Sequence, residues 1–317
     1  MTLLSAVQEA CGELALSQPT SVIGNTDPQV IQLLSLATRE AKEFSAHGGQ
    51  WSGWPELRKE YTFNLVPASG GSSGVYVGNT TNGSKILTGF ASTTGILVGY
   101  GVSGGSILTG AIVTAVGAST VTLNTPANAT STGLNFSFGQ ITYALPTDIQ
   151  MFITATYWDR NFRWQMLGPI SAQEWQTIVS GICPVGPRIR FRVMSDGTTG
   201  ADALWIQPPP GPTQTDTIAY EYISKNFCNS ALLVGQSAWT ADTDLYLWPD
   251  DTLVLGIIWR FKRAKGLDYG AELDMYNRAV DRQIARSGGN RQLPMNAHGN
   301  GLRLLNSSNV PDTGYGT

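Results

Sequence analysis

The sequence predicts an α+β protein with a nested plan. It combines a four-helix core from the N- and C-terminal helix pairs, an antiparallel β region between them carrying an inserted small all-β domain, and an extended C-terminal arm. Three observations predict it. Each end of the 317-residue chain holds two stretches with apolar residues three and four apart, the period of a helix that buries one face. The middle switches to β-branched alternation, the period of a strand. From Ala68 to Gln140 the single charged residue is Lys85, where globular proteins average roughly a quarter. The expected divisions are 1–56 for the first helices, 57–67 with 140–247 for the β region, 68–139 for the insert, 248–289 for the last helices and 290–317 for the arm.

Residues 2–16 predict a helix with Thr2 as N-cap and Leu3, Val7, Ala10, Cys11 and Leu14 on one face. The second helix has Asp27 as N-cap and Pro28 at the first turn, where a missing N–H costs nothing. Its stripe is Val30, Leu33, Leu34, Ala37, Ala41 and Phe44, and Gly48-Gly49 close it. After the indole-rich turn Trp51–Pro55, Tyr61–Leu65 alternates as a strand. Within the insert, Ile112–Val116 and Thr120–Leu123 alternate between Gly-rich turns, as in a small all-β module. Low charge suits a module packed on neighbours, because an isolated uncharged sheet risks edge pairing.

Strands are predicted at Gln140–Tyr143 and 151–158, followed by a short helix that Ser171 and Glu174 cap as a box. Arg188–Met194, Ala203–Ile206 and Thr217–Tyr222 complete an antiparallel meander broken by Pro208-Pro209-Pro210. The C-terminal pair is the most legible part. Pro249-Asp250-Asp251 opens a helix with Leu253, Val254, Ile257, Ile258 and Phe261 inward. Arg260, Lys262, Arg263 and Lys265 then precede Gly266, so carboxylates and cations sit at the ends the helix dipole favours. A second helix carries Tyr269, Leu273, Tyr276, Val280 and Ile284 on one stripe. Four one-faced helices are most economically buried against each other, which brings the chain ends together.

A net charge of −3 with 14% charged residues gives no strong electrostatic hold on nucleic acid. No run approaches the roughly 20 apolar residues of a membrane span, and no signal peptide is expected. Cys11, Cys183 and Cys228 are odd in number and far apart, which points to reduced thiols and synthesis inside a cell. With His47 and His298 as the two histidines, imidazole metal sites and triads lack raw material. No metal or cofactor is expected.

Three features together resemble the head-to-tail adaptors of podophages, the group that includes tail tubular protein A. They are the opening helix Ala6–Leu14 followed by a second helix, Trp54 and the Tyr61-Thr62-Phe63 strand; the Tyr143-Ala144-Leu145-Pro146-Thr147-Asp148 strand end; and the Pro249–Gly289 helix pair with its trailing arm. The likeness covers about 240 of the 317 residues, the insert being the departure. Leu97–Gly104, Gly110–Val116, Thr120–Leu123 and Pro126–Thr130 are themselves similar to a β motif recurring in phage tail structural proteins. The resemblance implies a structural virion protein, made in the host bacterial cytoplasm and placed at the neck. It implies a ring, expected twelvefold, below the portal, joining capsid to tail and lining the DNA exit channel. Its partners are then the portal, the tail nozzle protein and copies of itself. DNA passes without sequence-specific binding, no membrane is engaged, and no enzymatic chemistry is implied. Mild acidity suits such a conduit, since a basic lining would hold the DNA.

The implied portal-binding arm carries Leu302, Leu304, Leu305, Val310 and Tyr315. Arg260, Lys262, Arg263 and Lys265 are expected at a subunit interface or the channel, and Arg188, Arg190 and Arg192 on an interface strand, although such a row also serves as a solvated edge. The alternative function is a tail-associated glycan-binding or polysaccharide-depolymerising component, or a tail nozzle protein. Trp51, Trp54, Tyr157, Trp158, Phe162 and Trp164 offer stacking surfaces for it, and Glu56, Glu60, Asp159, Asp242 and Asp244 offer carboxylates for a hydrolytic pair. Gly99-Tyr100-Gly101 is not a phosphate loop, because no Lys-Ser/Thr and no helix start follow.

Overall fold

The computed structural model describes residues 1–47, 53–71, 73–181 and 188–287, and they form an α+β protein. Among them the helices are α1 (Leu3–Glu13), α2 (Pro28–His47), α3 (Ala172–Val179), α4 (Asp250–Lys265) and α5 (Gly270–Ser287). The chain divides into two compact units. Among the described residues, one joins Met1–Phe44 to the chain from Trp239 to Ser287; the other lies within Ser45–Ala238. Residues 239–247 therefore belong with the helices rather than with the β region.

In the helical unit the local signals act where they stand. Thr2 caps α1, its hydroxyl accepting from the Ser5 N–H while the Ser5 hydroxyl returns to the Thr2 N–H. The Asp27 carboxylate accepts the Gln29 N–H at 2.9 Å at the start of α2. Pro249 occupies the cap position of α4, so the helix begins one residue later, at Asp250. Gly266 ends it at φ 72°, a left-handed conformation that glycine adopts without strain. α1 and α5 both pack along α4, which is buried from Thr252 to Phe261 at every position but Leu255. A helix buried on all sides is the centre of its unit. Phe44, Tyr246 and Trp248 close one end of this core, with Phe44 edge-on to Trp248 at 5.1 Å. On α5 the last inward position falls to Gln283 and not Ile284, which is half exposed. Two turns of a 3.6-residue helix span about 7.2 residues, so the position seven after Tyr276 stays on its face and the one eight after it, Ile284, swings well away.

The second unit holds two separate hydrophobic cores. β1 (Arg58–Asn64) leads into the insert, whose strands are β2 (Tyr76–Thr80), β3 (Ile86–Leu87), β4 (Tyr100–Gly104), β5 (Val113–Val116), β6 (Val121–Leu123) and β7 (Ser131–Gln140). They make two three-stranded antiparallel sheets, β2-β7-β4 and β3-β6-β5. Tyr76, Phe90, Phe136 and Phe138 anchor the core that these strands share. Entry and exit of the insert run side by side, the Gln140 N–H donating to the Val66 carbonyl and the Ala68 N–H to the Phe138 carbonyl.

The remaining strands are β8 (Thr142–Ala144), β9 (Ile149–Phe152), β10 (Trp158–Asp159), β11 (Trp164–Gln165), β12 (Arg190–Ser195), β13 (Asp202–Gln207), β14 (Thr217–Ser224), β15 (Cys228–Asn229), β16 (Gly235–Gln236) and, in the helical unit, β17 (Leu245–Tyr246). The expected meander is not formed. β14 pairs with β1, more than 150 residues earlier, and with β9 and β10, whereas β13 pairs with β12 and β8. The stretch 151–158 is not one strand either, because a turn at 153–157 separates β9 from β10. The two sheets share a core that includes Tyr157, Phe191, Leu204, Ile206, Ile218 and Tyr220.

Candidate functional site

The basic turn of α4 divides into cations that face inward and cations that face out. Arg260 is 7% exposed, which removes it from any channel or subunit face. Its Nε lies 2.7 Å from Glu40 Oε2, a terminal guanidinium nitrogen lies 2.7 Å from Glu43 Oε2, and its plane sits 4.4 Å from the Trp259 ring centre. Burial works against the cation, but the two carboxylates outweigh it and hold its pKa above the ordinary value. Burial dominates at Glu40 and raises its pKa despite the neighbouring Tyr276 hydroxyl and Arg260. Lys262 is also engaged, by Glu272 of α5. Arg263 and Lys265 remain exposed, near the Trp259 and Phe261 rings respectively. The sequence did contain a signal for this cluster: Glu40 falls in phase with Leu33, Ala37 and Phe44 on the apolar face of α2.

Arg190 and Arg192 are half buried on the face of β12 opposite Phe191, across from Gln207 and Trp205 of β13; Arg188 is exposed and precedes the strand. The outer edge of β12 is not open at this end. Leu167 exchanges backbone hydrogen bonds with Ile189 and Phe191, and the Ile170 N–H also donates to the Phe191 carbonyl. Leu302, Leu304, Leu305, Val310 and Tyr315 lie outside the described residues.

The aromatic candidates part in the same way. Trp54 and Tyr157 are core residues, at 2% and 1% exposure, and Trp51 lies outside the described residues. Trp158, Phe162 and Trp164 are exposed, the last two stacked with centres 5.7 Å apart. Trp158 borders a 440 Å³ cleft on the outer face of the β1–β14 sheet. There Glu60 and Glu221 stand directly opposite each other on adjacent strands. Like charges so placed repel, and Arg160, paired with Glu60, relieves it. Asp159 is buried and accepts the N–H groups of Asn161 and Phe162; burial, reinforced by the charge of Asp216, raises its pKa.

Of the other candidate carboxylates, Glu56 is exposed on the short turn before β1, and Asp242 and Asp244 hold backbone in place. Asp242 accepts the N–H groups of Val22 and Ile23, holding the α1–α2 loop, and Asp244 accepts those of Thr240 and Ala241. Asp148, at the end of the aromatic-x-Leu-Pro-x-Asp segment, gathers Lys59 of β1 and Tyr222 and Ser224 of β14 within 2.9 Å. No group of three metal-binding side chains is assembled among the described residues, and none of their helices is long and apolar enough to cross a membrane. No protein-family model matches the chain, and no curated protein matches it.

Proposed function

We propose that this chain is a structural virion protein, a head-to-tail adaptor forming a ring below the portal, joining capsid to tail and lining the DNA exit channel. The observation that carries the reading is the helical unit. Helices from both halves of the chain belong to one unit built around the buried stretch Thr252–Phe261 of α4, while residues 45–238 form a unit with cores of their own. The helix pairs of that unit are among the features on which the resemblance to podophage adaptors rests. Arg263 and Lys265 are then the cations of α4 left to meet a neighbouring subunit, the portal or the passing DNA. The tail nozzle protein is the partner on the far side of the ring.

Mass photometry of the full chain with portal is expected to give a closed ring, twelvefold by analogy. A chain that stays monomeric and never binds portal overturns the reading. Removing residues 290–317 is expected to weaken portal attachment while the far-UV spectrum of the helical unit is unchanged.

A second reading, glycan binding, is favoured by the exposed Trp158 beside the Glu60–Glu221 cleft. Binding of host polysaccharide on a glycan array, lost in Trp158→Ala, would support it. An array without signal removes it.

A further inference from the structure

The hairpin tip between β15 and β16 presents apolar side chains where loops ordinarily present polar ones. Leu232, Leu233 and Val234 are 86%, 71% and 61% exposed. No other three consecutive large apolar residues are exposed among those described. The tip is held in this state by its own backbone. The Ser230 N–H donates to the Val234 carbonyl at 2.8 Å, the Leu233 N–H to the Ser230 carbonyl at 2.9 Å, and the Val234 N–H to the Ser230 hydroxyl at 3.2 Å. Leu233 sits at φ 60°, a region that leucine seldom occupies. The side chains are thus held outward by a defined turn, and such a patch marks an interaction surface.

Charge narrows the partner. No ionisable Asp, Glu, Lys or Arg occurs from Asn226 to Ala241, so the tip has no cations for anionic lipid headgroups. The same chain offers an apolar receptor. Leu167, Ile170, Thr177 and Ile178 line a surface groove of 380 Å³, with Glu174 and Arg190 beside them. A cavity of ~150 Å³ accepts a benzene-sized molecule, so this groove has room for two leucine side chains.

We propose that the 230–234 tip of one copy seats in the Leu167–Ile178 groove of a second copy. Tip and groove are different patches, so the contact is heterologous and propagates head to tail into a ring where the rotation closes. The inference rests on the reading of the chain as a ring former and names one of its interfaces.

The test compares the full chain with Leu232→Asp/Leu233→Asp by mass photometry across concentrations, with and without portal. The side chains are solvent-exposed, so circular dichroism is expected to be unchanged. The concentration for half-assembly is expected to rise on the order of a hundredfold. In a Cys183→Ser background, Leu233→Cys with Thr177→Cys is expected to give a disulfide-linked ladder of subunits under mild oxidation, and neither single variant is. A wild-type ring that persists in the double Asp variant overturns the tip contact but leaves the adaptor reading standing. Assembly without the ladder overturns the groove as the receptor. Co-sedimentation of wild-type monomer with phosphatidylcholine vesicles, lost in the Asp variant, overturns the protein partner in favour of a membrane. A wild-type chain that is monomeric even with portal brings down the ring reading itself.

Discussion

Gly256 provides the sharpest test of how the helical unit is held. In the middle of an exposed helix, replacing glycine by alanine stabilises by about 1 kcal/mol through propensity. Gly256 is instead a notch for Glu40. A Cβ built there lies 2.3 Å from Glu40 Cγ and Cδ and 2.8 Å from Oε2. Glu40 is completely buried and tied to Arg260 at 2.7 Å, so it cannot swing aside without breaking the pair. Separating one partner of a buried ion pair costs about 3–5 kcal/mol. Gly256→Ala is therefore expected to destabilise the helical unit by about 2–4 kcal/mol, the difference between these two effects. In a Glu40→Ala background the obstruction is gone, and the same substitution is expected to stabilise by up to about 1 kcal/mol. Because the chain has two units, one global midpoint is a poor measure. Urea unfolding followed at the helical far-UV band, with hydrogen exchange of the α4 amides, reads the right unit. Equal effects in both backgrounds, meaning no coupling in the double-mutant cycle, would refute the notch.

Three further outcomes are expected. Burial raises the Asp148 pKa, but Lys59, Ser224 and Tyr222 outweigh it, so the carboxyl lies below its ordinary 3.8. Its stabilisation is then present above the unfolded value and lost as pH falls through the folded one. Asp148→Asn should cost about 1.5–3 kcal/mol near neutral pH and flatten the acid limb of thermal stability; an unchanged acid limb would count against the network. Ser171→Ala removes the box in which the Glu174 N–H reaches the Ser171 hydroxyl at 3.2 Å and Glu174 returns to the Ser171 N–H at 3.0 Å. A loss of about 1 kcal/mol is expected, with faster amide exchange confined to α3. Asp196 is held at about 2, first by the Thr199 hydroxyl and then by the Thr198 N–H. A carbon-detected NMR titration of Thr199→Val should show this carboxyl moving up toward its ordinary value.

Elements whose cause is local were legible in the residues. Thr2, the Asp27-Pro28 pair, the Ser171–Glu174 box and Gly266 each act within one helical turn, and the helices begin and end beside them. The α2 stripe lies inward at Val30, Leu33, Ala37, Ala41 and Phe44, because a 3.6-residue period leaves one face to bury. The pairing of β14 with β1 was not legible. Any period-two strand can join another, and the choice follows from which side chains fill a common core. For the same reason a single predicted strand at 151–158 became two, once Ile149–Phe152 and Trp158–Asp159 met different parts of β14. The candidate site divides along the same line. A row of cations at the end of α4 was plain in the sequence. Arg260 turns inward because Glu40, 220 positions away, arrives from α2 at the Gly256 notch. A residue's charge is written in the chain, but whether solvent or a buried partner meets that charge is settled by segments that only folding brings together.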